Sequence, residues 1–129
     1  MRENKMNCHL IEQARARQLT ADTIQSEVAW TDSIFESDLF NVGIVKCRTC
    51  GQDFLYCFKQ YTSMDGEDDY WTFWIPAKDG AIHDAKSAMH LLKFMGELVH
   101  ECPHICWHPD GHVFWAEKGC PLAFIIFLP

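Results

Sequence analysis

Residues 53–75 read DFLYCFKQYTSMDGEDDYWTFWI. Two aromatic-rich segments, 53–61 and 70–75, flank a polar stretch that contains Asp65-Gly66. Aromatic and β-branched side chains suit the pleated surface of a strand. An Asp-Gly pair supplies a residue free to take positive φ, which a tight turn needs. The segment therefore predicts two antiparallel strands joined by a polar loop, the second ended by Pro76.

Working outward, residues 43–47 (GIVKC) predict another strand, leading into Arg48-Thr49-Cys50-Gly51. Residues 105–108 and 112–116 predict a hairpin turned by Pro109-Asp110-Gly111, and the apolar run 122–128 predicts a last strand. Between these blocks, Ile82, Ala85, Met89, Leu92 and Val99 form an apolar stripe opposite Lys86, Lys93 and Glu97. That spacing predicts one helix over about 84–101, capped by Asp84 and stopped before Pro103. Residues 1–40 read as helical. Residues 10–19 are rich in helix formers, and Thr20 or Asp22 offers an N-cap. Ile24, Val28, Ala29 and Trp30 continue at helical spacing, and 33–40 read as a short helical turn. The whole predicts a single domain over 1–129, helical over 1–40 and β-rich over 43–129. Its class is α+β: a mainly antiparallel sheet with N-terminal helices and one helix packed on it.

Composition bounds the function. Apolar residues make up 48% and charged residues 22%, and five Trp and nine Phe supply a core without staples. The formal charge of −7 is concentrated in the second half. Residues 1–64 hold seven Lys/Arg against eight Asp/Glu, and residues 65–129 hold four against ten. Such a field repels phosphate backbones and attracts basic proteins, so direct nucleic-acid binding is disfavoured. The opening MRENKMNCHLIEQARARQ lacks an apolar signal core, and no run is long enough to span a bilayer. A cytoplasmic setting is expected, in which seven cysteines are reduced thiols or metal ligands rather than disulfides.

Two stretches carry the chemistry. In Cys47-Arg48-Thr49-Cys50-Gly51, two thiols separated by two residues converge if the chain turns tightly, and Gly51 permits the turn. That is half of a zinc site. The other half is sought in residues 101–112, ECPHICWHPDGH, where Cys102, His104, Cys106, His108, Asp110 and His112 alternate with other residues. Neighbours two apart on a strand are about 7 Å apart, so six such groups cannot surround one ion. Cys102 and Cys106, across a helix end, are the expected partners of Cys47 and Cys50, and zinc is the ion this set would take. The competing reading is purely structural: Ile105 and Trp107 face the core while His104, Cys106 and His108 face a neighbour or water, and the alternation is that of a strand. No hydrolase, phosphate-loop, dinucleotide or deaminase motif occurs, and no cofactor is otherwise expected.

The second stretch is Asp65-Gly66-Glu67-Asp68-Asp69-Tyr70-Trp71, with four carboxylates in five residues beside two aromatics. It reads either as a solvated loop or as a patch for a basic protein, with Asp65, Glu67, Asp68 and Asp69 as the rim and Tyr70 and Trp71 as anchors.

Taken together, the Cys-x-x-Cys-Gly turn (Cys47, Cys50, Gly51), the DGEDDYW segment (65–71) and the W-x-P-D-G-x-x-x-W hairpin resemble a known group. In the hairpin these residues are Trp107, Pro109, Asp110, Gly111 and Trp115. The chain resembles, over about residues 30–116, immunity proteins of bacterial polymorphic-toxin and contact-dependent systems. The resemblance implies a non-catalytic cytoplasmic inhibitor that occludes the active site of one cognate protein toxin with a basic surface. The alternative is a small structural zinc-binding adaptor built on the Cys-x-x-Cys thiols; a third is a cysteine- or metal-dependent enzyme. The aromatics would serve a homodimer equally well.

Overall fold

The computed structural model describes residues 8–62, 65–78, 80–117 and 127. The expected strand over 122–128 lies outside the described residues except for Phe127. The order of elements is α1 (His9–Arg15), α2 (Ala21–Glu27), β1 (Val28–Phe35), β2 (Phe40–Cys47), β3 (Asp53–Thr62) and β4 (Asp68–Pro76), then α3 (Ala81–Ser87), α4 (Leu91–Glu101), β5 (His104–Trp107) and β6 (Val113–Ala116). The six strands form one antiparallel sheet in chain order, so the fold is α+β, as the sequence predicts.

The two aromatic segments pair without interruption from Phe54–Pro76 to Thr62–Asp68 and form the centre of the sheet. Both faces are covered, which explains strands as apolar as YWTFWI. On one face Val42, Ile44, Leu55, Cys57, Phe73 and Cys106 pack beneath Ala85, Met95 and Val99 of α3 and α4. On the other, Val45, Cys47, Phe54, Trp74 and Ile105 pack beneath Leu10, Ile11 and Ala14 of α1 and Ile24 of α2. Alternate residues point to opposite faces, so each strand feeds both cores.

Thr20 is the N-cap of α2, with its hydroxyl accepting from the Thr23 N–H at 3.2 Å. The helix stops at Glu27 rather than continuing through Trp30. Residues 28–35, expected to be helical, are strand β1, paired with β2 from Val28–Cys47 to Phe35–Val42 through two register shifts. Only Ile24 of α2 is buried, so no apolar stripe pulls a longer helix onto the core. The β-branched and aromatic side chains of β1 gain more at the sheet edge. Trp30 lies over Gly43, where an added Cβ would stand 2.4 Å from its ring, and meets Tyr56 edge-on at 5.3 Å. The expected helical turn over 33–40 is instead the end of β1 and a turn in which the Ser37 hydroxyl accepts from Phe40 N–H at 3.0 Å.

The expected helix over 84–101 is two helices. Ala88 is extended at ψ 130°, and Asp84 sits within α3, whose N-cap is Gly80. The Ser87 hydroxyl donates back to the His83 carbonyl at 2.9 Å, which favours a helix end there. Met89, placed by periodicity in the stripe, is 90% exposed at the break. The 105–116 hairpin forms as expected, with Gly111 at φ 99° and Asp110 Oδ1 accepting from His112 N–H at 2.9 Å.

Candidate metal centre

An antiparallel sheet in chain order places alternate connections at the same end. The β2–β3 turn lies at one end, and the β1–β2, β3–β4 and β5–β6 turns lie at the other. The two stretches singled out by sequence therefore occupy opposite ends of the molecule.

The β2–β3 turn is held tightly. Gly51 N–H donates to the Cys47 carbonyl and Cys47 N–H to the Gln52 carbonyl, both at 2.9 Å, and Gly51 takes φ 82°. Arg48 N–H donates to the Glu27 carbonyl at 2.9 Å, which ties the end of α2 to the same turn. Cys47 ends β2 on the face beneath α1, and Cys50 stands at the exposed tip. The third member is Cys8, the residue that precedes α1, which is 1% exposed. The ligand atoms of Cys8, Cys47 and Cys50 all lie within 4.8 Å of one another. Tetrahedral zinc with bonds of about 2.3 Å places its sulfurs about 3.8 Å apart, so a contraction of about 1 Å at most closes this set on an ion.

The thiols are electrostatically unequal. Burial pushes the Cys8 thiol up to about 12, and its hydrogen bond to Cys50 adds to the rise. Burial also raises Cys47, but the main-chain N–H groups of Cys50 and Thr49, then the Cys50 and Cys8 thiols, donate to its sulfur and hold it below the ordinary thiol range. Cys47 thus ionises ahead of Cys8, and the thiolate is the form that binds metal. A cation would draw the remaining protons off Cys8 and Cys50, so binding releases protons and weakens in acid. Beside the sulfurs, His9 Nδ1 stands 3.8 Å from Cys47 Sγ, and its Nε2 stands 3.2 Å from Glu27 Oε1.

Cys102 and Cys106 do not complete this set. Cys106 points into the core beneath α3 and α4, and Cys102 packs against that same core, on the face opposite Cys47. Cys106 is also on β5, three strands from β2, a separation of about 14 Å. Of residues 101–112, His104–Trp107 form strand β5, and His104 and Cys106, expected to face a neighbour or water, are buried instead because both faces of the sheet are covered. His104 and Cys106 face one core, and Ile105 faces the other. His104 is buried, bonds Cys102 O through Nδ1 at 2.9 Å and is held below the ordinary imidazole range by loss of solvent.

The acidic segment keeps only part of its expected role. Asp65, Glu67 and Asp68 are exposed, and Asp69 is half-buried. Asp68 Oδ1 accepts from the Thr62 hydroxyl at 2.7 Å, and Asp65 Oδ1 accepts from Glu67 N–H at 3.3 Å. Tyr70 is 54% exposed and stacks on Phe58 at 6.1 Å. Trp71 is 4% exposed, stacked on Phe73 in the core, and so is no anchor for a partner.

Sequence reasoning passed over Cys8 and His9. The available signal was two adjacent soft ligands just before a helix, ahead of a Cys-x-x-Cys turn. No protein family, curated protein or solved structure matches this chain. No helix among the described residues is long and apolar enough to cross a membrane.

Proposed function

We propose that the protein is a small zinc-stabilised structural or adaptor protein, in which an ion held by Cys8, Cys47 and Cys50 fastens the N-terminal helices to the β2–β3 turn. The observation that carries the reading is the convergence of three thiols, two of them buried, from positions far apart in the chain. Thiolate-rich sets favour zinc among common divalent ions. Chemically the ion supplies a crosslink: Cys8 leads into α1, Cys47 ends the second strand of the sheet, and Cys50 closes the turn. Protein purified without added metal is expected to carry near-stoichiometric zinc by elemental analysis, and Cys47→Ser is expected to lose it. Metal-free wild-type protein that takes up no zinc sinks the proposal.

A second reading, binding and neutralisation of a basic toxin, draws on the other end of the sheet. Exposed Glu36, Asp38, Asp65, Glu67, Asp68 and Asp110 sit on or next to turns that share this end. Phe35, Leu39 and Tyr70 at this end expose 45%, 54% and 54% of their surface. Carboxylates around exposed aromatics suit a basic protein surface, with charge acting mainly on the association rate. Co-production is expected to protect cells from a toxin encoded beside this gene, and reversing Asp65, Glu67 and Asp68 to Lys is expected to reduce that protection. Equal protection by the reversed variant removes the acidic turn from the reading.

A further inference from the structure

The geometry points to His9 as the fourth protein ligand of this centre, completing a closed Cys3His site, with Glu27 as the positioning residue that orients its imidazole. This rests on the metal reading above and deepens it. Three thiolates leave one position of a tetrahedral ion unfilled. Whether a side chain or water takes that position separates a structural zinc from a catalytic one.

One distance favours the side chain, and because His9 lies outside the set whose ligand atoms are all within 4.8 Å, its ring moves toward Cys8 and Cys50 on binding. In a tetrahedron of zinc with sulfur and imidazole nitrogen, bonds of about 2.3 and 2.0–2.1 Å set the sulfur-to-nitrogen edge at about 3.6 Å. His9 Nδ1 stands 3.8 Å from Cys47 Sγ. The other nitrogen faces Glu27 Oε1 at 3.2 Å. A carboxylate there favours the tautomer with the proton on Nε2, which leaves the Nδ1 lone pair directed at the thiol cluster. Metal-binding histidines usually donate their second nitrogen to a carboxylate or carbonyl in this way, which fixes the ring and raises its basicity.

The backbone supports the same assignment. Glu27 is the last residue of α2, and its carbonyl accepts from the N–H of Arg48, the residue after Cys47, at 2.9 Å. The carboxylate that orients His9 is therefore anchored to the turn that carries two of the thiols. Cys8 and His9 are adjacent in the chain, so one short segment supplies two ligands and the Cys47–Cys50 turn the other two. The closed set leaves no position for a reactive water, and the centre crosslinks α1 to the turn while Glu27 adds the end of α2.

X-ray absorption on the zinc-loaded full chain tests the inference. The expected wild-type spectrum shows three sulfurs and the multiple-scattering signature of one imidazole. His9→Ala is expected to keep three sulfurs and lose that signature. Glu27→Gln is expected to keep the imidazole while weakening zinc affinity about 10–100-fold in a chelator competition. A wild-type spectrum with three sulfurs and no imidazole overturns the role of His9 and leaves the three-thiol centre standing. A chain that takes up no zinc removes both. Unchanged affinity in Glu27→Gln removes the positioning role alone. Because the wild-type spectrum decides the ligand, the result does not depend on His9→Ala folding.

Discussion

The two ends of the sheet present contrasting chemistry. At the β2–β3 end, three thiols, two of them buried, are brought within 4.8 Å of one another by elements remote in sequence. At the opposite end, exposed carboxylates sit on and beside three separate turns. Grouping the thiols requires α1, α2 and the turn to dock, and burial disfavours their ionised form unless hydrogen bonds or a cation offset it. The carboxylates remain hydrated and screened, so they place little demand on the fold. Stability is therefore expected to reside at the thiol end, and the carboxylate end is free to carry surface charge.

The largest effect expected from this contrast is metal removal. With zinc at a thousand-fold excess over its dissociation constant, linkage contributes about 4 kcal/mol. For a domain of this size that is roughly 15 °C in Tm. Thermal melts before and after chelation check this; coincident melts break the contrast at its stronger side. Next comes Cys106→Ser, which places a hydroxyl in the core beneath α3 and α4 and is expected to destabilise by about 1–3 kcal/mol. It is expected to leave zinc content unchanged, whereas Cys47→Ser abolishes it. Zinc loss in Cys106→Ser would falsify the assignment of the centre to the α1 face.

A smaller effect concerns pH. His104 is held below its ordinary value of 6.5, so it stays neutral in the fold at a pH where the unfolded chain takes up a proton. The unfolded state then binds more protons, and stability rises with pH. The contribution is complete above about 6.5 and is lost as pH falls below it, with a slope of at most about 1.4 kcal/mol per pH unit. Denaturant melts of metal-free protein between pH 7 and 5 are expected to show this slope, and His104→Gln to reduce it. Metal-free protein is required because acid also displaces zinc. An unchanged slope in His104→Gln assigns the dependence to other groups.

The smallest effect belongs to the carboxylate end. Replacing Asp38 and Glu67 together by their amides is expected to change stability by no more than about 0.5 kcal/mol. A loss comparable to metal removal erases the distinction between the ends.

The central strands were legible because their signals are local. Residues 53–61 and 70–75 carry β-forming side chains on both faces, and the hairpin at 105–116 is announced by Pro109-Asp110-Gly111. Strand β1 was not legible. Ile24 and Val28 stand at helical spacing, and only pairing with β2 and the docking of Trp30 over Gly43 select an extended chain. The break at residues 88–90 was hidden because the apolar stripe is continuous in sequence and the Ser87 back-bond is not visible in it. Of the centre, Cys47, Cys50 and Gly51 were legible as a turn. Cys8 and His9 were not, because ligand spacing is informative only within a local segment.

Residue type and short-range spacing suffice for an α+β chain with a central antiparallel sheet, an acidic second half and a tight thiol-bearing turn. Which thiols share a site depends on how the sheet and helices assemble. Facing is a property of the assembled sheet: Cys47 and Cys106 occupy strands of the same sheet but point to opposite cores. Cys8, remote in sequence, reaches Cys47 because α1 packs on that face, where burial of Leu10 and Ile11 holds it.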